Sequence, residues 1–406
     1  MPTIREQRKL VWRPVHVPNH DQDRNCNSLN KNNSRLDLAE KESDKGALMP
    51  SLILMKKSCA LLLGAALLTS PFVVNAGSFI DPLDQPVAGV RQADKKPMRD
   101  IAKAGKRLVA VGDNGIIIFS DDQGLNWTQA SVPVGVDLNA VFFADDQRGW
   151  AVGHGAVILR STDAGASWTK QLDGRGLEAI IVEYFKGNSG LDEQSASSYL
   201  SAILNMTRPG PAQFFMGVWF DSAGNGFAVG PFGLIMASRD GGETWQPWNT
   251  QIDNNDLLHL TSIREVDGAL FITGERGRVW RQDSRTKRFV ASETGYEGTL
   301  FGLTGGSGNL LAYGLRGHVF RSVNGGHSWS AVTSDFKGSV TAGAALERGG
   351  FVLVSQSAQA AISSNGGATF RPLAVKSATL FTGVIGLTAN RLALVGLNGV
   401  TIMDTP

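Results

Sequence analysis

Short apolar stretches alternate with glycine-containing turns along most of the chain. One unit runs from Leu138–Phe143 through a polar turn to Trp150–Gly153, and then through a third apolar stretch to Ser161–Trp168. Apolar runs this short, bounded by Gly, Asn and Asp, are typical of β-strands joined by tight turns. The pattern therefore predicts an all-β chain whose units are four-stranded antiparallel meanders.

These units repeat with a period close to 41 residues. The turn between the second and third strands recurs at Gly115, Ala156, Gly233, Gly277, Gly317, Ala358 and Gly399. The successive intervals are 41, 77, 44, 40, 41 and 41 residues. Four strands in 40–45 residues are the signature of a β-propeller blade. Seven turns thus predict a seven-bladed β-propeller.

A second motif, Ser-x-Asp-x-Gly-x-x-Trp, follows the third strand of most units and is known as an Asp box. Its Ser and Asp side chains can bond nearby backbone N–H groups, and its aromatic ring can fill the space between sheets. Because the motif recurs, we interpret it as structural and not catalytic. The structural residues are Ser120, Asp122, Trp127, Ser161, Asp163, Trp168, Ser238, Asp240, Trp245, Ser322, Asn324, Trp329, Ser363, Asn365 and Phe370.

Two parts of the chain depart from the repeat. The long interval contains an insertion, 171–214, where Tyr199, Leu200, Ile203 and Leu204 have helical spacing, so we predict a helical insertion between blades two and three. It is either packed against the side of the propeller or a protrusion that binds a partner. The seventh unit stops after its third strand, and we expect Ser78–Val90 to supply the missing outer strand.

The composition supports a globular chain: of 406 residues, 48 are Gly and 42% are hydrophobic. Residues 55–76 combine Lys56 and Lys57, an apolar run and small residues before Ala76, which predicts a cleaved signal peptide; the alternative is an uncleaved anchor. Residues 1–54 are either a misassigned translation start or a disordered region. We therefore expect an exported protein in which residues 77–406 form the propeller.

Removing the first 76 residues changes the charge and the available chemistry. The remainder has 28 Lys and Arg against 30 Asp and Glu, a net charge of −2, so we expect no nucleic-acid partner. Both cysteines, Cys26 and Cys59, lie upstream of the cut, and the remaining histidines are scattered. We predict no metal, no cofactor and no catalytic residue.

The turns between the second and third strands gather at one end of a propeller, and we call this end the tip face. Blades four and five carry arginines there, which suits an acidic or carboxylate-rich segment of a protein partner; the alternative is ordinary solvated turn residues. The predicted partner-binding residues are Asn114, His154, Phe232, Arg276, Arg278, Arg316, His318 and Asn398.

The glycine turn followed by an Asp box resembles the BNR/Asp-box propellers. Over residues 101–403, the sevenfold spacing behind a signal peptide is similar to the photosystem II stability/assembly factor family and its bacterial relatives. The resemblance implies a non-enzymatic assembly factor in the periplasm or thylakoid lumen that binds a subunit or precursor of a membrane complex. We expect it to be a monomer and at most peripheral to the membrane. Photosynthetic members assist photosystem II assembly; the helical insertion is a departure from their pattern.

The main alternative is a carbohydrate-active enzyme of the sialidase type. Such a site needs an arginine cluster, a Tyr nucleophile with a Glu, and an acidic proton donor. Four tyrosines remain after the signal peptide, and Tyr296 and Glu297 are adjacent, so they would point to opposite faces of a strand. A deep pocket where Tyr, Glu, Asp and several Arg converge would favour the enzyme; a shallow arginine-lined face would favour the assembly factor.

Overall fold

The computed structural model describes residues 79–207, 213–376 and 379–405. The predicted signal peptide, 55–76, and the segment 1–54 lie outside the described residues.

The described residues form seven antiparallel sheets, as the repeat predicted. Each sheet is one blade, and its strands follow one another in chain order from the inside of the ring to the outside. The strands of blades one to three are β1 (Met98–Ala104), β2 (Arg107–Gly112), β3 (Ile117–Ser120), β4 (Thr128–Gln129), β5 (Leu138–Phe143), β6 (Gly149–Gly153), β7 (Ile158–Ser161), β8 (Thr169–Leu172), β9 (Gly217–Phe220), β10 (Gly226–Val229), β11 (Ile235–Ser238) and β12 (Gln246–Pro247).

Blades four to six have the same four-stranded form, and blade seven has three strands in the described residues. These strands are β13 (Leu260–Val266), β14 (Ala269–Gly274), β15 (Arg278–Gln282), β16 (Phe289–Glu293), β17 (Leu300–Gly306), β18 (Asn309–Gly314), β19 (Val319–Ser322), β20 (Ser330–Val332), β21 (Val340–Ala345), β22 (Phe351–Ser355), β23 (Ala360–Ser363), β24 (Arg371–Leu373), β25 (Phe381–Thr388), β26 (Arg391–Gly396) and β27 (Gly399–Asp404).

The innermost strands form a closed ring. Each contacts the innermost strand of the next blade, and β25 of blade seven contacts β1 of blade one. At several of these interfaces, a polar side chain near the start of one inner strand donates a hydrogen bond to a backbone carbonyl of the next blade. These bonds run from Asn139 to Phe215 (2.9 Å), Thr261 to Leu300 (2.6 Å), Thr341 to Phe381 (2.6 Å) and Thr382 to Met98 (2.7 Å). The last one joins blade seven to blade one.

The prediction that Ser78–Val90 completes blade seven as a fourth strand is wrong for the described residues, 79–90. This segment forms no strand, because its backbone bonds to blade one instead: Val87 donates to the Val132 carbonyl (3.0 Å) and Val90 to the Gln129 side chain (2.8 Å). Its valines pack beside the junction of blades seven and one. The ring is therefore closed by side-chain packing and the Thr382 bond, without a shared sheet.

Each Asp box is a hydrogen-bonded turn. The Ser hydroxyl accepts the N–H of the residue four positions later, for example Gly165 to Ser161 at 2.9 Å. The Asp carboxylate likewise accepts the N–H four positions on, as Ser167 to Asp163 at 2.9 Å. In blades five and six Asn324 makes the same bonds, as does Asn365. The box thus holds the hairpin between the third and fourth strands.

The insertion between blades two and three is helical, as expected. It contains α1 (Gly174–Glu183), a π-helical turn (Tyr184–Asn188) and α2 (Glu193–Thr207). Asp173 caps α1, since its carboxylate accepts the backbone N–H of Arg175 at 3.0 Å. Leu177 and Ile181 are buried in the same cluster as Trp150 and Phe220 of blades two and three. The insertion therefore forms part of the core at this interface.

Candidate partner-binding face

The tip face is built from seven equivalent turns between the second and third strands. At four of them the exposed residue has a left-handed backbone and a glycine follows: Asn114 (φ 54°), Phe232 (φ 55°), Arg276 (φ 52°) and Arg316 (φ 56°). Two consecutive residues with positive φ are typical of the tight turns that match the twist of a hairpin. This geometry leaves the side chain of the first residue in solvent.

The structure places all eight predicted residues at these turns or beside them. Arg278 is half-buried, and the others are exposed. Arg276 and Arg316 lie on blades four and five, whose inner strands are in contact. The partner-binding role of these residues stays a prediction.

The arginines of the tip face differ in their partners. Arg276 pairs with Asp256 at 3.0 Å, and Arg278 pairs with Glu293 at 2.9 Å. Arg316 forms no ion pair with any residue that the structure describes. Partial burial raises the pKa of Tyr296, and the positive charge of Arg316 acts in the opposite direction. Arg316 is therefore the tip arginine whose charge is most available to a partner.

On this face, three pairs of a histidine and an aromatic ring join a tip residue to a segment that connects two blades; two pairs are stacked, and the pair of His259 and Phe232 is tilted. The ring centroids are 5.2 Å apart for His154 and Phe214, 4.5 Å for His259 and Phe232, and 4.4 Å for His318 and Tyr296. Glu275 also accepts from the backbone N–H of His259 and lies 2.8 Å from its Nδ1. The pair of His318 and Tyr296 places ring surface between the blades that carry Arg276 and Arg316.

Three members of these pairs are not among the residues predicted for the tip face. Phe214, His259 and Tyr296 lie outside the repeated turn motif, in connections whose path depends on the packing of two blades. Their position just before an inner strand was the available signal. The structure also shows that Arg160 and Arg321, which precede Asp-box serines, bond to the Asp box of the next blade: Arg160 to Glu243 (3.2 Å) and Arg321 to the Gly366 carbonyl (2.7 Å).

A cavity of about 630 Å³ lies at the centre of the ring, lined by the innermost strands. Asp100 is its buried carboxylate, with only 15% of the side chain exposed. It accepts backbone N–H groups from Ile101 (2.9 Å) and Val141 (3.0 Å), and an Arg264 nitrogen lies 3.8 Å away. Burial raises the pKa of Asp100, and the Arg264 charge counteracts this.

Tyr313 also lines this cavity, but its chemistry does not suit a nucleophile. The side chain is buried, and burial raises the pKa of Tyr313 to about 12. No glutamate is present among the described residues that line the cavity. A Tyr nucleophile in a glycosidase needs a neighbouring carboxylate to take its proton. The cavity thus brings Tyr, Asp and Arg together without the Tyr–Glu pair.

Asp100 was absent from the predicted site, although a signal existed. The equivalent positions of the other inner strands hold the small residues Ala140, Gly217, Ser262, Gly302, Ala342 and Gly383. A carboxylate in that series stands out. Its ion pair with Arg264 of blade four could not be inferred, since the two residues meet only across the closed ring.

The part of the chain that the structure describes shows neither a metal site nor a membrane-spanning helix. There, no group of three or more His, Cys, Asp or Glu side chains could hold a metal ion. Neither described helix is long and apolar enough to cross a bilayer.

Comparison with known sequences finds a resemblance to one family. Residues 209–377 match the sequence model of the family described as "Photosynthesis system II assembly factor YCF48". A curated relative, photosystem II assembly lipoprotein Ycf48 from Synechococcus sp. (strain CC9902), is 27% identical over 165 residues, which cover 40% of this chain. The match spans about half, 48%, of that relative's length.

Solved structures show the same fold. "YCF48 bound to D1 peptide" is 16% identical, with a TM-score of 0.56 and coverage of 77% of this chain and 94% of that one. YCF48 from Cyanidioschyzon merolae is also 16% identical, with a TM-score of 0.55 over 77% of this chain and 96% of that one. A streptogramin B lyase is 12% identical, with a TM-score of 0.59 over 76% and 93%. The seven-bladed fold and the resemblance to the photosystem II assembly factor family are confirmed.

Proposed function

We propose that this protein is a non-enzymatic assembly or stability factor that binds a segment of a membrane-complex subunit, or of its precursor, on the tip face. The main support is a group of three exposed residues on neighbouring blades: Arg316, Arg276 and Phe232. Arg316 forms no ion pair with the described residues. Arginine together with aromatic surface is typical of protein-binding hot spots.

The relatives support a peptide as the ligand. A structural neighbour of 16% identity is described as bound to a D1 peptide, and the curated relative is described as a photosystem II assembly lipoprotein. An extended peptide with carboxylate side chains would pair with the guanidinium groups and pack its stem against the rings. We propose this ligand class for the present chain, with the partner itself to be identified by capture.

The central cavity is the place where an enzyme of this fold would act. Burial raises the pKa of Tyr313 to about 12 and so disfavours its reactive phenolate form further than in an ordinary tyrosine. Asp100 is held by two backbone N–H groups and faces Arg264, which is the arrangement of a structural ion pair between blades. These contacts favour a binding protein over a glycosidase.

We also propose that the protein is exported to the periplasm or lumen and acts as a monomer at the membrane surface. The support is the predicted signal peptide at 55–76 and the description of the curated relative as a lipoprotein.

Charge reversal on the tip face tests the proposal. Arg276→Glu with Arg316→Glu should lower capture of the partner about tenfold, a loss of about 1.4 kcal/mol, because two cations that face it become anions. The measurement is crosslinked pull-down from the exporting cell, read by mass spectrometry, followed by titration with the captured segment.

The matched control carries the same charge change at other exposed sites, Arg348→Glu with Arg371→Glu. Arg348 has a left-handed backbone (φ 58°), as do Arg276 and Arg316, whereas Arg371 lies in β24, so the control reproduces the backbone strain at one of its two sites. Equal capture by both double variants, at unchanged melting temperature, would refute the assignment of the tip face.

A further inference from the structure

Five interfaces between blades are filled by a glycine of the Asp box that follows. These glycines lie so close to the preceding blade that an added Cβ would stand 2.5–3.1 Å from it. The pairs are Gly124 with Ile402, Gly165 with Val109, Gly242 with Trp150, Gly326 with Phe271, and Gly367 with Leu311. The space between two blades at this end of the propeller is thus normally occupied by a glycine turn and its aromatic ring.

Blade four lacks this turn. Thr286 stands where the other boxes have the glycine, and Gln282 replaces the serine. The loop curls around Asp283 instead, whose carboxylate accepts the N–H groups of Arg285 (3.1 Å) and Thr286 (2.7 Å). Phe227, which is equivalent to Trp150 and Val109 in strand register, therefore has no glycine turn against it.

A slot of about 560 Å³ opens at this place, between blades three and four. Such a volume lies within the range of small-ligand pockets. Its aromatic walls are Trp219, Phe227 and Trp248. Side chains of both charges lie around them, namely Asp221, Arg239, Glu265 and Lys287.

Two features distinguish the slot from a simple packing fault. The indole Nε1 of Trp248 is buried without a hydrogen-bond partner, whereas the indoles of Trp127, Trp168 and Trp245 each donate to a glycine carbonyl. A buried donor without an acceptor is costly. Ala237 also lines the slot, at the position where Arg160 of blade two reaches over the next Asp box.

We propose that the slot binds an aromatic side chain of a partner polypeptide. Phe289 keeps the place of the Asp-box ring at this interface, with its ring centroid 5.3 Å from that of Phe227, so the space left open is that of the glycine turn. Three aromatic rings line this space, and an aromatic side chain packs favourably against such walls. This site lies among the Asp-box turns, at the opposite end of the blades from the tip face. It goes beyond the proposed function, and either site can fail without the other.

Titration with N-acetyl-tryptophanamide tests this inference directly. Because the probe is neutral and carries an indole beside two amide carbonyls, it should shift the indole N–H resonance of Trp248 with a dissociation constant on the order of 1 mM. N-acetyl-leucinamide is the matched control and should shift it at least about tenfold more weakly. Absence of a shift, or equal shifts with both probes, would overturn the proposal.

A variant that fills the slot makes the test specific. Replacing 282–289 by the eight residues of 322–329 restores a glycine turn of equal length and should abolish the response to the probe. Ala237→Arg is a second, single-residue way to occupy the slot and should have the same effect if the graft fails to fold. Retention of the wild-type response in a folded filled variant would overturn the proposal.

Discussion

At the residue scale, short polar motifs explain the turns of this propeller. Ser and Asp of each box satisfy backbone N–H groups that the hairpin leaves unpaired, and the local spacing alone is enough to predict that pattern. Asn324 and Asn365 show that the acceptor matters more than its charge. A residue such as Asp100 differs, since its partners come from blades two and four.

The charge of the Asp box predicts a pH dependence. Hydrogen bonds from the backbone and side chain of Asn126 lower the pKa of Asp122 from 3.8 to about 2. A carboxyl group with a lowered folded-state pKa stabilises the fold above its unfolded pKa and loses that contribution as pH falls through the folded value. The stability advantage of wild type over Asp122→Asn should therefore shrink between about pH 4 and pH 2.

Melting temperatures of the two proteins across that pH range provide the measurement. The comparison with Asn isolates Asp122, because the other carboxyl groups titrate equally in both proteins. Asn also preserves the turn, as blades five and six demonstrate. A stability difference that stays constant from pH 6 to pH 2 would contradict the assigned cause.

At the element scale, the insertion is the part whose role depends on packing. Helical spacing predicted α2 within the insertion. The structure adds α1 and buries Leu177 and Ile181 against blades two and three. This burial supports the interpretation of the insertion as a packed element, and its role in partner binding remains a prediction.

Truncation of a buried side chain on α1 tests this packing. Leu177→Ala should lower the free energy of unfolding by about 2–5 kcal/mol, because it leaves a cavity in the cluster around Trp150. The exposed neighbour Glu178→Ala should change it by less than about 0.5 kcal/mol. Urea denaturation measures both values, and equal effects would show that α1 is detached from the core.

At the scale of the whole molecule, closure of the ring distinguishes blade seven. Its sheet has three strands in the described residues and shares none with the N-terminal segment. The junction with blade one rests on apolar packing and on the bond from Thr382 to the Met98 carbonyl. We expect this junction to open before the others.

Removal of that bond tests the weak point of the ring. Thr382→Val should lower the free energy of unfolding by about 1–3 kcal/mol, since the Met98 carbonyl loses its partner. Thr341→Val removes the equivalent bond between blades six and seven and serves as the control. Hydrogen exchange read by mass spectrometry should accelerate in β1 with the first variant and not with the second; equal exchange in β1 would refute the expectation.

The sequence by itself determined the four-stranded pattern and the Asp-box turns, because each depends on contacts between residues no more than 15 apart, such as Val340 and Ser355. The number of blades followed from how often this local pattern repeats. The tips were located for the same reason, and with them all eight predicted partner-binding residues.

Tertiary structure alone decided the rest. Four features join segments from different blades. They are the path of 79–90, the ring contacts at His259 and Tyr296, the Asp100–Arg264 pair, and the slot between blades three and four. The local pattern is the same whether such segments meet or not, so only the geometry of the closed ring specifies which side chains come together.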